Sequence, residues 1–291
     1  MVRLGFDIGG TAIKAGVLDC SMNIVSKKMT AFTREAGFKS IIRKMYEIAM
    51  EMLSDNSLEK ADVMSVGIAV AGGVDTEKGV SVKACNLGFV NVPLRAEMER
   101  YFPGVPVRVI NDADAATLAE LKKGALKGCK NAIMLTIGTG IGGGVVLDGK
   151  LFTGGLGHGT EPGHAALSLG GPLCSCGNQG CVETLCSATW LATEGKADAK
   201  DVIGRAKDGD PTSQRILTEY IENLSTALAS LTAILDPEAI ALGGGVSLAG
   251  DILFSPLREK VWQKSFFKHS YKIVPATLGN DAGIVGAALA E

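Results

Sequence analysis

The sequence predicts an α/β protein of two domains, and three observations carry that prediction. Strand-like apolar runs alternate with helical runs spaced three and four residues apart along the 291 residues, the pattern of sheets covered by helices. The segments FDIGGTAIKAGVLD from Phe6 and LTIGTGIGGGVVLD from Leu135 align without gaps at an offset of 129 residues, so a strand, a Gly/Thr turn and a second strand occur twice. Glycine is abundant, 38 residues, and it clusters where strands end, as ligand-hugging loops require. The repeated hairpin predicts two similar domains, each turning its Gly-rich tip toward a shared cleft.

In chain order, residues 2–8 alternate, with Leu4, Phe6 and Ile8 on one face. Gly9 and Gly10 then break the strand, and AIKAGVLD resumes it as a hairpin, with a third strand near 23–29. From Phe38 to Leu53 the apolar positions follow the three-and-four spacing of an amphipathic helix. VMSVGIAV at 63–70 reads as a buried strand ending at Gly72 and Gly73. A loop region with Asn86 follows, then a helix near 94–102, a strand at 107–110 and a helix in AATLAELKKG. The second hairpin begins with NAIMLTIG at 131–138 and continues through VVLDGKLF. Further on, DAKDVIGRAKDG is a short helix, and Asp210 with Pro211 form the cap and first residue of a long one running toward Leu235. EAIALGGG at 238–245 is a strand delivering three glycines, a helix near 256–267 and a strand at 271–274 follow, and Asp281 caps the final helix.

Composition narrows the function classes. With 46% apolar and 21% charged residues the chain can bury large cores. A net charge of −2 provides no basic field for nucleic acid or anionic membrane, so a small-molecule partner is expected. No apolar run approaches the ~18–20 residues of a membrane span, and MVRLGFDIGG lacks a signal-peptide core. Seven cysteines, three of them in a metal-like motif, point to a reducing cytoplasm.

The densest chemistry lies in EPGHAALSLGGPLCSCGNQGCVE, residues 161–183. His164, Cys174, Cys176 and Cys181 supply one nitrogen and three thiolates, the ligand set of a closed tetrahedral structural zinc. Core cysteines have no reason to cluster in glycine-rich polar sequence, which weighs against buried thiols or disulfides. Glu161 and Glu183 bracket the ligands and are free for another task. Three Gly-rich turns, DIGGT, GTGIGGG and LGGGVS, suit a nucleotide: glycine lets backbone N–H groups approach phosphates. Asp7, beside the first turn, would repel phosphate unless Mg²⁺ intervenes, and its alternative is a turn aspartate bonding its own backbone. No GxxxxGK[ST] run exists, and Gly138, Gly140 and Gly143 fit GxGxxG but lead into β-formers rather than a helix, so neither a P-loop nor a dinucleotide fingerprint is present. Asp112, where a strand meets a helix, reads as a general base for phosphoryl transfer or as an N-cap, with Asp114 as the competing carboxylate.

DIGGT at 7–11, NDA at 111–113, GTGIGGG, EPGH at 161–164 and CSCGNQGCVE at 174–183 together resemble the ROK family of sugar kinases and sugar-responsive repressors, almost end to end. The resemblance implies an actin-like, ribonuclease-H-like two-domain ATPase fold, with the nucleotide and sugar cleft between domains of about 1–111 plus 280–291 and 112–279. It implies a MgATP-dependent hexose kinase of glucokinase type, usually a homodimer, acting commonly at C6. By that similarity Asp112 is the base; Gly72, Asn86, Asn111, Asp112, Glu161, His164 and Glu183 contact sugar. Gly9, Gly10, Thr11, Gly138, Thr139 and Gly140 cradle phosphates, with Asp7 toward Mg²⁺, and Gly243, Gly244 and Gly245 approach adenosine. His164 would bind zinc through one ring nitrogen and sugar through the other. Two departures leave the sugar open: the family's PG loop reads Ala71, Gly72, Gly73, and NDAN reads NDAD at Asp114. The segment after Cys186 also looks short. N-acetylmannosamine, N-acetylglucosamine, allose and fructose compete with glucose, which Glu161 favours. A repressor needs a DNA-binding module that residues 1–6 leave no room for, and a non-catalytic zinc scaffold requires Asp112 to be inert.

Overall fold

The computed structural model describes residues 1–33, 35 and 37–290. The chain divides into two compact units. The first comprises Met1–Ala119, Phe152–Thr160 and the segment from Asn280 on; the second comprises Glu120–Leu151 and Glu161–Gly279. The division falls inside a helix, and nine residues between two parts of the second unit belong with the first.

In the first unit, β1 (Val2–Ile8), β2 (Ala12–Leu18), β3 (Ile24–Ala31), β4 (Val63–Val70) and β8 (Val107–Asn111) form a sheet of order β3-β2-β1-β4-β8. The hairpin pairs are antiparallel, whereas β4 and β8 join in parallel. Parallel neighbours require crossovers, supplied here by α1 (Gly37–Asp55) and α2 (Leu94–Glu99). Helix α1 buries Ile41, Ile42, Met45, Ile48, Ala49, Met52 and Leu53, the stripe its spacing predicts. They join Phe6, Ile68 and Phe102 in one core. Residues read as loop are a second, antiparallel sheet: β5 (Gly73–Asp75), β6 (Val80–Ala84) and β7 (Phe89–Val92). Strands of three to five residues are too short to establish a period.

The second unit repeats the plan. Strands β9 (Ala132–Ile137), β10 (Ile141–Leu147), β11 (Lys150–Leu151), β12 (Ala239–Gly243) and β13 (Lys272–Pro275) take the order β11-β10-β9-β12-β13, with the same sense at every pairing. Strands β2 and β10 begin 129 residues apart, at Ala12 and Ile141, and end 129 apart, at Leu18 and Leu147. The repeat in sequence is therefore a repeat in structure.

Helix α3 (Asp112–Lys123) contains the unit division, and α4 (Val182–Cys186), α5 (Ala188–Gly195), α6 (Ala199–Lys207), α7 (Pro211–Leu235) and α8 (Asp251–Lys264) belong to the second unit. Asp210 caps α7 by accepting from Ser213 N at 2.7 Å. Tyr220 is fully buried in α7 and donates its hydroxyl to the Cys186 carbonyl at 2.8 Å. Helix α8 starts five residues before Pro256, which sits inside its N-terminal half rather than opening it. The final helix, α9 (Ala282–Leu289), follows Asp281, whose side chain makes no cap bond; its carboxylate pairs instead with Lys27 at 2.8 Å. Among the described residues no helix is long and apolar enough to cross a membrane.

Helices α7 and α8 are joined by Glu222, which lies 2.6 Å from both Lys260 and Lys264. Hydrogen bonds from the two ammonium groups hold its carboxyl down to about 2. The folded pKa is depressed, so the stabilisation is present above the usual carboxylate value and lost as pH falls toward 2. With all three side chains partly exposed, solvent screening limits it to under ~1 kcal/mol. Glu222→Gln is expected to lose no more than that at pH 7, with the difference shrinking toward pH 3 in urea midpoints.

Candidate functional site

In the first unit, Asp7 is the penultimate residue of β1 and faces Lys14 across the hairpin. Lys14 Nζ lies 3.2 Å from Asp7 Oδ2. The carboxylate rests on the backbone of α9, where a Cβ on Gly283 would come within 2.7 Å of Asp7 Cγ. Asp7 is thus neither a turn residue nor bonded to its own turn. Gly9, Gly10 and Thr11 form the exposed tip, closed by Gly9 N donating to Ala12 O at 3.0 Å. Asn86, exposed in the turn between β6 and β7, lies beside this tip: a Cβ on Gly10 would stand 3.8 Å from its own.

The β8–α3 junction resolves the cap. Asn111 Oδ1 accepts from Ala113 N at 2.8 Å and Asp114 N at 3.1 Å, the second and third helical N–H groups, so Asn111 is the N-cap of α3. Its Nδ2 donates to Gly72 O at 2.9 Å and fastens that loop to the helix start. Asp112 is the first helical residue, half-buried, with Oδ1 accepting from Ala113 N at 2.9 Å. Asp114 is buried in the first turn, where the helix dipole favours its charge. Its carboxylate faces Gly159 so closely that a Cβ there would fall 2.5 Å from Oδ2.

In the second unit, two of the Gly-rich turns meet. Gly138, Thr139 and Gly140 join β9 to β10, with Gly138 N donating to Gly140 O at 2.9 Å. The start of α5 fixes this turn: Ala188 N donates to Gly138 O at 2.9 Å and Thr189 Oγ1 to Thr139 O at 2.6 Å. Gly243, Gly244 and Gly245 leave β12 alongside it. Gly244 has φ +83° and sits against β9, where a Cβ would come 2.2 Å from Ile137 O, so glycine is obligatory.

Glu183 connects this turn to the cysteine segment. Its Oε2 accepts from Ile141 N at 2.9 Å, and a Cβ on Gly140 would lie 2.2 Å from the same oxygen. Its Oε1 lies 3.9 Å from Cys174 Sγ. Glu161 precedes the 3-10 turn Pro162–His164, which closes through His164 N donating to Glu161 O at 3.0 Å. Although part of Glu161 faces solvent, protein packed around its carboxyl raises its pKa; His164 opposes the rise and Glu183 adds to it.

His164, Cys174, Cys176 and Cys181 converge, with one ligand atom from each and all four within 4.8 Å of one another. His164 Nδ1 is 3.6 Å from Cys174 Sγ, and Cys176 Sγ is 3.7 Å from Cys181 Sγ. Tetrahedral zinc with Zn–S near 2.3 Å and Zn–N near 2.0 Å separates its ligands by roughly 3.5–3.8 Å. The donor set and its spacing fit that ion. The knuckle holds without disulfides, since all seven cysteines are free thiols. Cys174 N donates to Asn178 O at 2.8 Å, and Gly177, at φ +96°, makes the turn between them. Burial pushes the Cys181 thiol up, so its thiolate is favoured only beside a cation.

Sequence reasoning missed Lys14, although hairpin register places it opposite Asp7. It also missed Thr189 as a brace of the 138–140 turn, for which the sequence carries no local signal.

Residues 3–290 match the ROK family. The chain is 37% identical to a glucokinase of Thermotoga maritima over a gapped alignment of 308 positions, covering 98% of this chain and 95% of the relative. It is 31% identical to an N-acetylmannosamine kinase of Salmonella typhi over 296 residues, covering 99% of this chain and 98% of the relative. Among solved structures, a ROK family glucokinase from Streptomyces griseus in complex with glucose and AMPPNP superposes with a TM-score of 0.83 at 31% identity, covering 100% of this chain and 99% of that one.

Proposed function

The chain belongs to the ROK family and has the actin-like, ribonuclease-H-like two-domain ATPase fold of its sugar kinases, and from that premise we propose that it phosphorylates glucose at the C6 hydroxyl. It is a hexose kinase that uses ATP, a phosphotransferase with an alcohol acceptor. The observation that carries the reading of its centre is the β8–α3 junction: Asn111 fills the capping role, so the structural explanation for Asp112 is taken up by its neighbour.

In this reading Asp112 accepts the hydroxyl proton as the sugar oxygen attacks the γ-phosphorus. The bond to the leaving oxygen of ADP breaks in line. A helix N-terminus favours negative charge, which suits a carboxylate acting as proton acceptor. In the same unit, Gly72 and Asn86 border the sugar, and Asn111 has a second amide N–H to offer it. Glu161, His164 and Glu183 take sugar hydroxyls. Two carboxylates that repel one another there, with Glu161 raised in pKa, gain from hydroxyl donors that a sugar would bring. The Gly9–Thr11 and Gly138–Gly140 turns cradle phosphates through backbone N–H groups, and Gly243–Gly245 meets the adenosine.

Mg²⁺ bound to the ATP phosphates would neutralise charge developing on the transferred group. Asp7, already paired with Lys14, would hold it through water. Zinc would be held by His164, Cys174, Cys176 and Cys181, as a brace with no open coordination position. Nδ1 faces the thiols, which leaves Nε2 for the sugar. Assembly as a homodimer in the cytoplasm, without nucleic-acid or membrane partners, completes the proposal. Seven free thiols and a charge of −2 support the compartment and the absence of polyanionic partners, and sedimentation velocity tests the dimer.

The second reading, an N-acetylmannosamine kinase, is favoured by the 31% identity to such an enzyme. ADP release measured over glucose, mannose, fructose, allose, N-acetylglucosamine and N-acetylmannosamine separates the two. Glucose is expected to give the largest kcat/KM, and a tenfold preference for an N-acetylhexosamine would replace the assignment.

A further inference from the structure

Glu120, in the last turns of α3, is 0% exposed. Both of its oxygens are engaged by one short stretch after β13 and by the end of its own helix. Oε1 accepts from Thr277 N at 2.8 Å and Leu278 N at 2.7 Å. Oε2 accepts from Ala125 N at 2.6 Å and Thr277 Oγ1 at 3.0 Å. Gly124 makes room, since a Cβ there would come 1.9 Å from Oε2.

The stretch that Glu120 grips adjoins the triglycine turn. Ala276 N donates to Leu242 O at 2.8 Å, extending the β12–β13 pairing, and Ala276 Cβ would lie 3.5 Å from a Cβ on Gly243. One carboxylate is thus linked to Gly243 through Thr277 and Ala276, and all of these residues lie in the second unit. As a stabilising device a buried carboxylate is inefficient, because desolvation offsets much of what its partners return. As an orienting device it is effective. Two consecutive N–H groups on one oxygen fix the direction of a turn that apolar packing would leave free to rotate.

We propose that Glu120 is a positioning residue for the nucleotide, holding residues 276–278 so that the Gly243–Gly245 turn keeps the form in which it receives ATP. This rests on the reading of that turn as the adenosine side of the site. Glu120→Gln leaves one oxygen to accept and directs an amide N–H₂ at donors. The KM for ATP and the Kd for a non-hydrolysable ATP analogue are expected to rise about tenfold, with the sugar KM within twofold. A structural role alone would lower the melting temperature and leave that split absent. Nucleotide constants within twofold of the parent in folded Glu120→Gln, or an equal rise for sugar, overturn the proposal.

Should Glu120→Gln not fold, Thr277→Val removes the Oγ1 donor alone. It is expected to raise the ATP constants about threefold, and no change overturns the proposal. Gly245→Val tests the underlying reading separately, because the space where its Cβ would stand is open. It should block nucleotide binding while the protein stays folded. Weak nucleotide binding in Gly245→Val with normal binding in Glu120→Gln defeats the Glu120 role alone. Normal binding in Gly245→Val defeats the reading of the turn, and the Glu120 proposal with it.

Discussion

Asp112→Asn is expected to lower kcat by about 10²–10⁴-fold, the range that general-base removal gives, while glucose and an ATP analogue still bind. The substitution is nearly isosteric, and the amide oxygen it introduces can go on accepting from Ala113 N as the carboxylate does at 2.9 Å. The helix start should survive because its cap is Asn111, which is left intact. A melting temperature close to that of the parent would verify this. The expected signature is therefore a loss confined to turnover, as for an interaction made in the transition state. ADP release with saturating MgATP and glucose, beside isothermal titration of each ligand, separates the cases. Turnover within threefold of the parent would remove Asp112 from the mechanism and make Asp114, buried against Gly159, the carboxylate to test next.

How legible this was in the sequence depends on the range over which each feature is encoded. The hairpins and α1 are local, and alternation or three-and-four spacing over seven or more residues exposed them with errors of one or two residues. The β5–β6–β7 sheet was unreadable because its strands are short and only a few positions, such as Val74, Ser81 and Phe89, are buried. Asn111 and Asp112 are both strong capping types at adjacent positions, so the sequence could not say which one takes the helical N–H groups. Register decided it. Proline favours the first turn of a helix, so the sequence points to a start near Pro256; α8 instead begins at Asp251 and holds Pro256 inside, where it forgoes the N–H bond an interior residue makes.

The candidate site divides along the same line. The four metal-type ligands lie within 18 residues and carry their spacing openly, so the knuckle could be read. Glu183 could be read as available but not as bound to the Gly138–Gly140 turn, since Ile141 is 42 positions away. Glu120 gave no signal at all: in AELKKG it looks like any charged helix residue. Its burial is created by Thr277 and Leu278, 157 and 158 positions along the chain. Long-range polar contacts of this kind have no periodicity, and only the folded chain reveals them.

Cys181→Ser is expected to release the metal and with it the sugar side of the site. The purified parent should hold about one equivalent of zinc per chain by elemental analysis, and the variant less than a tenth of that. Cys181 is buried between the two halves of the knuckle: its Sγ is 3.5 Å from His164 O and 3.7 Å from Cys176 Sγ. Without the ion, two thiols, the serine hydroxyl and an imidazole crowd together with only weak hydrogen bonds among them, and the orientation of His164 is no longer imposed. The sugar KM should rise at least about tenfold, the scale on which changes around a metal centre act. Because Glu183 also accepts from Ile141 N beside the Gly138–Gly140 turn, a smaller rise in the ATP KM should accompany it. Full activity in parent protein holding less than about half an equivalent of zinc would refute the brace. A variant that loses zinc yet keeps its sugar KM would show that the 3-10 turn Pro162–His164 is held by the backbone alone, through His164 N to Glu161 O and Val182 N to Ala165 O.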